Sequence, residues 1–230
     1  MRLDLYMVEV FNKTRSQAQD LIKQGKVSVN GVIITKSSMD IKGEQVVIEE
    51  NMPYVSRGGL KLEDAIKSFK LDLTGLIMAD IGASTGGFTD CALKHGVSKV
   101  YAYDVGTDQL HPSLKDNPSV ISYEQTNILD VILPSEVNLI TIDVSFTSVK
   151  PILTHLKQKA LYIVLVKPQF EVGIKHIHKG IVRSELKQKE ALEGIIEYAS
   201  ALGYQVIHHK KTTLLGKMGN QEFLLLLTRG

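Results

Sequence analysis

The chain has 230 residues, a formal net charge of +2 and one cysteine, Cys91. Its length allows two domains, and a hydrophobic share of 43% suits an ordinary globular core. No apolar run nears the ~20 residues that span a bilayer, the start Met1-Arg2-Leu3-Asp4 lacks the pattern of a signal peptide, and a lone cysteine excludes an internal disulfide and a thiol-rich metal site.

The expectation is therefore a cytoplasmic protein without a structural metal. Any nucleic-acid binding must rest on local basic clusters, because bulk charge is small. Cys91 falls in an apolar helical stretch and reads as a small core residue rather than a nucleophile.

Leu3, Tyr6, Met7, Val10 and Phe11 recur at three-and-four spacing and predict a first helix. Thr14 or Ser16 would cap a second helix with Ala18, Leu21 and Ile22 on its apolar face, and Gly25 would end it. Val27 to Ile33 alternates around Asn30-Gly31, a strong hairpin signal. Val46-Val47-Ile48 adds a short strand. Residues 1–50 thus form a helix–helix–β unit. Residues 51–59, with Pro53 and Arg57-Gly58-Gly59, break the pattern and read as a linker.

From residue 60 to 230 strands and helices alternate. Helices are expected at 60–69, 87–95, 151–157 and 186–202, and strands at 76–81, 99–105, 120–123, 139–144, 161–166, 205–207 and 222–227. That order implies an α/β fold with a doubly wound, mostly parallel sheet.

The stretch Asp80-Ile81-Gly82-Ala83-Ser84-Thr85-Gly86-Gly87-Phe88 joins a strand to a helix. Open α/β sheets bind ligands at such a turn. A phosphate-cradling loop would need a lysine after the glycines, where Phe88 stands, and a dinucleotide fingerprint would need glycine where Ser84 stands. S-adenosylmethionine asks for an acid at the strand end and a second acid for the ribose, places that Asp80 and Asp104 fill. Asn127, after the next strand, would face the adenine. A turn without any ligand is the plainer alternative.

Lys61, Asp143, Lys167 and Glu222 fall beside the boundary or at strand ends. Taken singly, each reads as half of an ordinary ion pair. Asp143 and Lys167 share the sheet edge that carries the glycine-rich turn. Two lysines brought close would repel one another's charge and leave one amine able to take a proton, with Asp143 and Glu222 holding them in place. Methyl transfer needs such help in positioning an acceptor and removing its proton.

The stretches MRLD, VSVNG, PYVSRGGLKLE, DIGASTGGFTDC, LITIDVSF, LVKPQFE and GNQEFLL together resemble the TlyA-type (haemolysin A) ribosomal RNA methyltransferases. The resemblance implies an S4-type RNA-binding unit, with Arg2, Arg15, Lys23 and Lys26 meeting phosphates. It implies a Rossmann-like, FtsJ-type methyltransferase domain whose last strand is antiparallel.

By the same resemblance, Lys61, Asp143, Lys167 and Glu222 form the catalytic set. Asp80, Gly82, Ala83, Ser84, Gly86, Gly87, Phe88, Asp104, Asn127 and Asp143 hold S-adenosylmethionine. The reaction is 2′-O-methylation of a cytidine, the partner is ribosomal RNA or a ribosomal subunit, and Tyr54 to Ser56 link RNA binding to cofactor binding. Gly106-Thr107-Asp108-Gln109-Leu110 departs from the Gly-Tyr-Gly-Gln-Leu of relatives. The basic run Lys175 to Lys179, with His176 and His178, is expected as a surface loop facing RNA. A membrane-active haemolysin and an RNA-binding protein without catalysis are the alternatives; the first needs a segment that enters lipid, and the intact four-residue set speaks against the second.

Overall fold

A computed structural model describes residues 1–48, 53–216 and 218–230, with Gln17 by its backbone alone. They divide into two compact units, Met1–Pro53 with Leu214–Gly219, and Tyr54–Thr213 with Asn220–Gly230. The boundary that the sequence sets between residues 50 and 51 lies outside the described residues.

In the first unit, α1 (Leu3–Phe11) and α2 (Arg15–Lys23) precede β1 (Val27–Val29), β2 (Val32–Ile33) and β3 (Val46–Ile48). The strands form an antiparallel sheet in the order β2-β1-β3. Asn30 and Gly31 turn the hairpin with φ of 47° and 79°. A two-residue hairpin turn of this kind needs positive φ at both positions, which explains the residue pair. Leu3, Met7, Ala18, Leu21, Ile22, Val27 and Ile48 build the core. One expectation fails: Val10 is 54% exposed, while the polar Asp4 is wholly buried. Hydrogen-bonded partners, described below, make that burial tolerable.

The second unit contains α3 (Gly58–Phe69), β4 (Ile77–Ile81), α4 (Gly87–Lys94), β5 (Lys99–Tyr103), α5 (Pro112–Lys115), β6 (Val120–Tyr123), β7 (Leu139–Ile142), α6 (Lys150–His155), β8 (Ala160–Val166), α7 (Pro168–Glu171), α8 (Glu185–Ala201), β9 (Gln205–Lys211) and β10 (Phe223–Arg229). Its described residues form one seven-stranded sheet in the order β6-β5-β4-β7-β8-β10-β9. The β6-β5-β4-β7-β8 pairs are parallel, and β10 is antiparallel to both β8 and β9. The four-residue helices α5 and α7 escape periodicity because they are too short to show it; each opens on a proline at its first position.

Side chains alternate between two cores. Val164, Val166, Leu225 and Leu227 pack with Leu153 of α6 and Ile195 of α8. Ile163, Leu165, Leu224 and Leu226 pack with Leu62 of α3 and Cys91 of α4. Covering both faces explains why β8 and β10 read as unbroken apolar runs. Among the described residues no helix is long and apolar enough to cross a membrane.

Leu225 is 0% exposed on a central strand. Leu225→Ala is expected to destabilise the protein by about 2–5 kcal/mol, through lost burial and the cavity left behind, read as a lower urea midpoint with an unchanged slope.

Candidate active site

The glycine-rich turn leaves β4 and enters α4 at the carboxyl edge of the parallel strands. Gly82 and Ala83 donate their N–H groups to Tyr103 O at 2.9 and 3.1 Å, which fastens the turn to β5. Gly82 has φ of 83°, and a Cβ there would stand 2.6 Å from Asp143 O. No other residue fits beside β7 so closely. Gly86 and Gly87 are buried and Ser84 is exposed.

Asp80 lies inside the protein, beneath the turn. It is 0% exposed, and its carboxyl accepts from Thr141 Oγ1 at 2.8 Å and Thr89 Oγ1 at 2.7 Å. Burial raises its pKa to about 6 against the lowering pull of those bonds. Its job is to hold β4, β7 and α4 together beneath the turn. Phe88 also turns inward, 3% exposed within the α3–α4 core, so its ring is packing and only its backbone belongs to the turn.

Asp104 follows β5 and is partly exposed. It accepts from Ser84 N and Gly106 N, both at 2.7 Å, and so fixes the turn from the other side. The loop that departs from relatives starts here; a Cβ on Gly106 would meet Gln109 Nε2, so the amide folds onto that glycine. Asn127 is exposed, and its side chain caps the 3-10 turn Ile128–Asp130 by accepting from Leu129 N at 3.1 Å.

Lys61, Asp143, Lys167 and Glu222 gather as two ion pairs. Lys167 Nζ lies 2.6 Å from Asp143 Oδ1 and donates to Ser145 Oγ at 2.9 Å. Lys61 Nζ donates to Glu222 Oε2 at 2.5 Å. The register joins the pairs: Phe223 faces Val166, so the next positions outward are Glu222 and Lys167. Lys61, Lys167 and Glu222 are buried. Each lysine thus faces a carboxylate, Lys167 facing Asp143 and Lys61 facing Glu222.

Sequence reasoning misses Ser145 after β7, Thr89 in the first turn of α4 and Thr141 within β7, ordinary hydroxyls until their partners are known. It also misses Phe146. That residue holds φ of 66° and is 91% exposed, with its ring 5.6 Å from that of Phe170. Positive φ is strained for an aromatic residue and points to a functional constraint. The only signal in the sequence is an aromatic three positions after Asp143.

Tyr54, Val55 and Ser56 lie over the starts of α3 and α4. Val55 N donates to Asp90 Oδ2 at 2.8 Å, and a Cβ on Gly59 would strike the Tyr54 ring. Cys91 is wholly buried, which pushes its thiol up to about 12 and keeps it inert. Around the basic run, a 3-10 turn spans Ile174–His176, and His178 bridges to Ile181. Among the described residues no three potential ligands gather for a metal ion.

In the first unit, Arg2 and Arg15 converge on Asp4. Lys23, in the last turn of α2, is exposed, and Lys26 precedes β1, partly exposed.

Residues 54–229 match the family model for FtsJ-like methyltransferases, and residues 1–47 match that for the S4 domain. Hemolysin A of Brachyspira hyodysenteriae is 39% identical over 97% of this chain and 98% of its own length. The 23S rRNA (cytidine-2′-O)-methyltransferase TlyA of Campylobacter jejuni is 32% identical over 97% of this chain and 97% of its own. A solved chain from Streptococcus thermophilus that carries a hemolysin name superposes with a TM-score of 0.76 at 37% identity, covering 100% of this chain and 88% of that one.

The raised carboxyl of Asp80 carries a pH dependence. Its pKa is about 6 when folded, against 3.8 ordinarily, so its contribution to stability is full below pH ~4 and falls away as pH rises through 6. Asp80→Asn cannot ionise there. Between pH 4 and 7 the stability of the Asn variant relative to the wild type should rise by at most about 3 kcal/mol. Parallel stability curves for the two proteins, measured by urea unfolding, would refute the burial argument.

Proposed function

The chain belongs to the FtsJ-like methyltransferase family, and on that footing we propose that it transfers the methyl group of S-adenosylmethionine to the ribose 2′-hydroxyl of a cytidine in ribosomal RNA. The observation that carries this reading is the meeting of Lys167–Asp143 and Lys61–Glu222 at the sheet edge that bears the glycine-rich turn. Relatives of both names cover the chain almost end to end, one of them a cytidine-2′-O-methyltransferase of ribosomal RNA.

The turn suits the cofactor. Asp104 offers a partly exposed carboxylate at a strand tip, the chemistry that a ribose diol needs. No lysine follows the glycines to hold a nucleotide's phosphates. Gly82, Ala83, Ser84, Gly86, Gly87 and the backbone of Phe88 would cradle the methionine part, Asp143 would border it, and Asn127 would meet the adenine. Asp80 supports this cradle from below. When bound, S-adenosylmethionine supplies an electrophilic methyl group on a sulfonium.

Lys167 stands nearest the acceptor. Its ammonium is held at two points, by Asp143 and Ser145, so little reorganisation is needed when it donates to the 2′-oxygen. As the 2′-oxygen would bond to the methyl carbon, the methyl–sulfur bond would break and the hydroxyl proton would pass to water, and a prepositioned cation in a buried site would stabilise the negative charge that builds on the oxygen as that proton leaves. Lys61, held by Glu222, adds a second positive charge, and Glu222 fixes the cluster beside Lys167. Phe146 is exposed to solvent, two positions from Val144 and with its ring beside that of Phe170. It suits stacking on the base of the acceptor nucleotide. Arg2, Arg15, Lys23 and Lys26 would hold the RNA through its phosphates, in naked ribosomal RNA or in a subunit, within the cytoplasm.

The test is methyl transfer from tritiated S-adenosylmethionine to subunits from cells lacking this protein, with the label recovered as 2′-O-methylcytidine. Lys167→Ala should lower kcat by at least about a hundredfold, the scale of losing one prepositioned donor, while RNA still binds. Full activity in that variant would remove Lys167 from its role. Failure of the unaltered protein to label subunits or naked ribosomal RNA would sink the function.

A further inference from the structure

Asp4 lies in the first turn of α1 with 0% exposure. Its carboxylate is crowded with donors. Arg2 Nε and Nη2 donate to its two oxygens at 2.9 Å each, Gln19 Nε2 at 3.0 Å, and Arg15 Nε at 3.4 Å. The Arg2 guanidinium holds the carboxyl well below the usual carboxylate range.

One bidentate guanidinium already balances one carboxylate. The second adds a further positive charge at the same point, with Asp40 as a more distant acid beside Arg2. Both arginines keep an open side, with side chains 42% and 58% exposed over an acid that water does not reach. Arg2 Nη2 and Arg15 Nε share one acceptor, Asp4 Oδ2. Their remaining N–H groups therefore lie close enough for the oxygens of one phosphate to engage both. Arg15 also opens α2, whose amino-terminal end is favourable for an anion. Holding two long side chains in place before binding removes an ordering cost that free arginines would bear at the moment of association.

We infer that Asp4 is a positioning residue that gathers Arg2 and Arg15 into one clamp for a single backbone phosphate of RNA. The inference rests on the reading of the first unit as RNA-binding, and goes further: the two arginines act as one unit on one phosphate, through an acid that never touches it.

Filter binding of the full chain to an unmodified 23S ribosomal RNA transcript, across a range of KCl concentrations, tests this. Arg2→Ala and Arg15→Ala should each weaken binding about tenfold, and the double variant should lose little more than about tenfold, because neighbours serving one contact are not additive. The slope of log affinity against log salt should fall by about one in all three, as for one lost phosphate contact. Asp4→Asn should weaken binding even though it removes a negative charge, a sign that a general electrostatic effect would not produce.

A double variant that loses about a hundredfold, with the slope reduced by about two, would assign the arginines to separate phosphates and overturn the clamp. Unchanged affinity in the arginine variants, or tighter binding by Asp4→Asn, would overturn it as well. Should Asp4→Asn melt before binding is measured, the arginine cycle decides alone. If the unaltered chain ignores the transcript, the RNA reading of this unit falls, an outcome distinct from additivity.

Discussion

A carboxyl group closed off from water ties together the working edge of the catalytic unit. Asp80 ends one strand's apolar run and is reached by a hydroxyl from the neighbouring strand and another from the following helix. An unbonded carboxyl at full burial would be costly, so the two threonines come with it as a set. Their bonds fix where α4 starts relative to β4 and β7, and hence where the glycine-rich turn sits. Asp104 repeats the device at the surface, where its two oxygens each take a backbone N–H. The turn is pinned from beneath by a neutralisable acid and from the side by a solvated one.

The reversed strand β10 supplies the rest of the site. In a wholly parallel sheet the carboxyl edge receives only residues that follow strands, as Asp143 and Lys167 do. An antiparallel strand delivers to that edge a residue that precedes it. Glu222 stands just before β10 and so arrives beside Lys167. Lys61 reaches the same point from the first turn of α3, where glycines let the Tyr54 ring approach the helix start. The cluster is thus a consequence of topology: four distant sequence positions share one edge because one strand runs backwards.

Much of this was legible in the residues. Periodicity and turn chemistry found the long helices and the strands to within a few positions, because β8 and the first five residues of β10 are apolar and α1 and α2 carry stripes. Asp143, Lys167 and Glu222 were visible as charges abutting apolar strands. Asp80 was visible as an acid near a strand end, but its threonine partners were not, since such an acid looks the same whatever surrounds it. The inward packing of the Phe88 ring was not legible, because a turn's sequence does not reveal which way a ring rotates. Val10 and Asp4 exchanged their expected burial because the arginines that make Asp4 tolerable inside lie on either side of it in the chain. Phe146 was invisible, since a backbone angle leaves no trace in composition.

The outer strand β9 has a consequence for life at high concentration. It ends the sheet and is seven residues long, enough to template pairing with another chain. Its exposed positions include His208, His209 and Lys211, and Lys210 sits among them bound to Asp64. Two such strands meeting side by side would press the lysines of one against those of the other, and charge on an edge strand opposes such pairing. Charge along this border therefore works against edge-to-edge pairing with a second copy of the sheet.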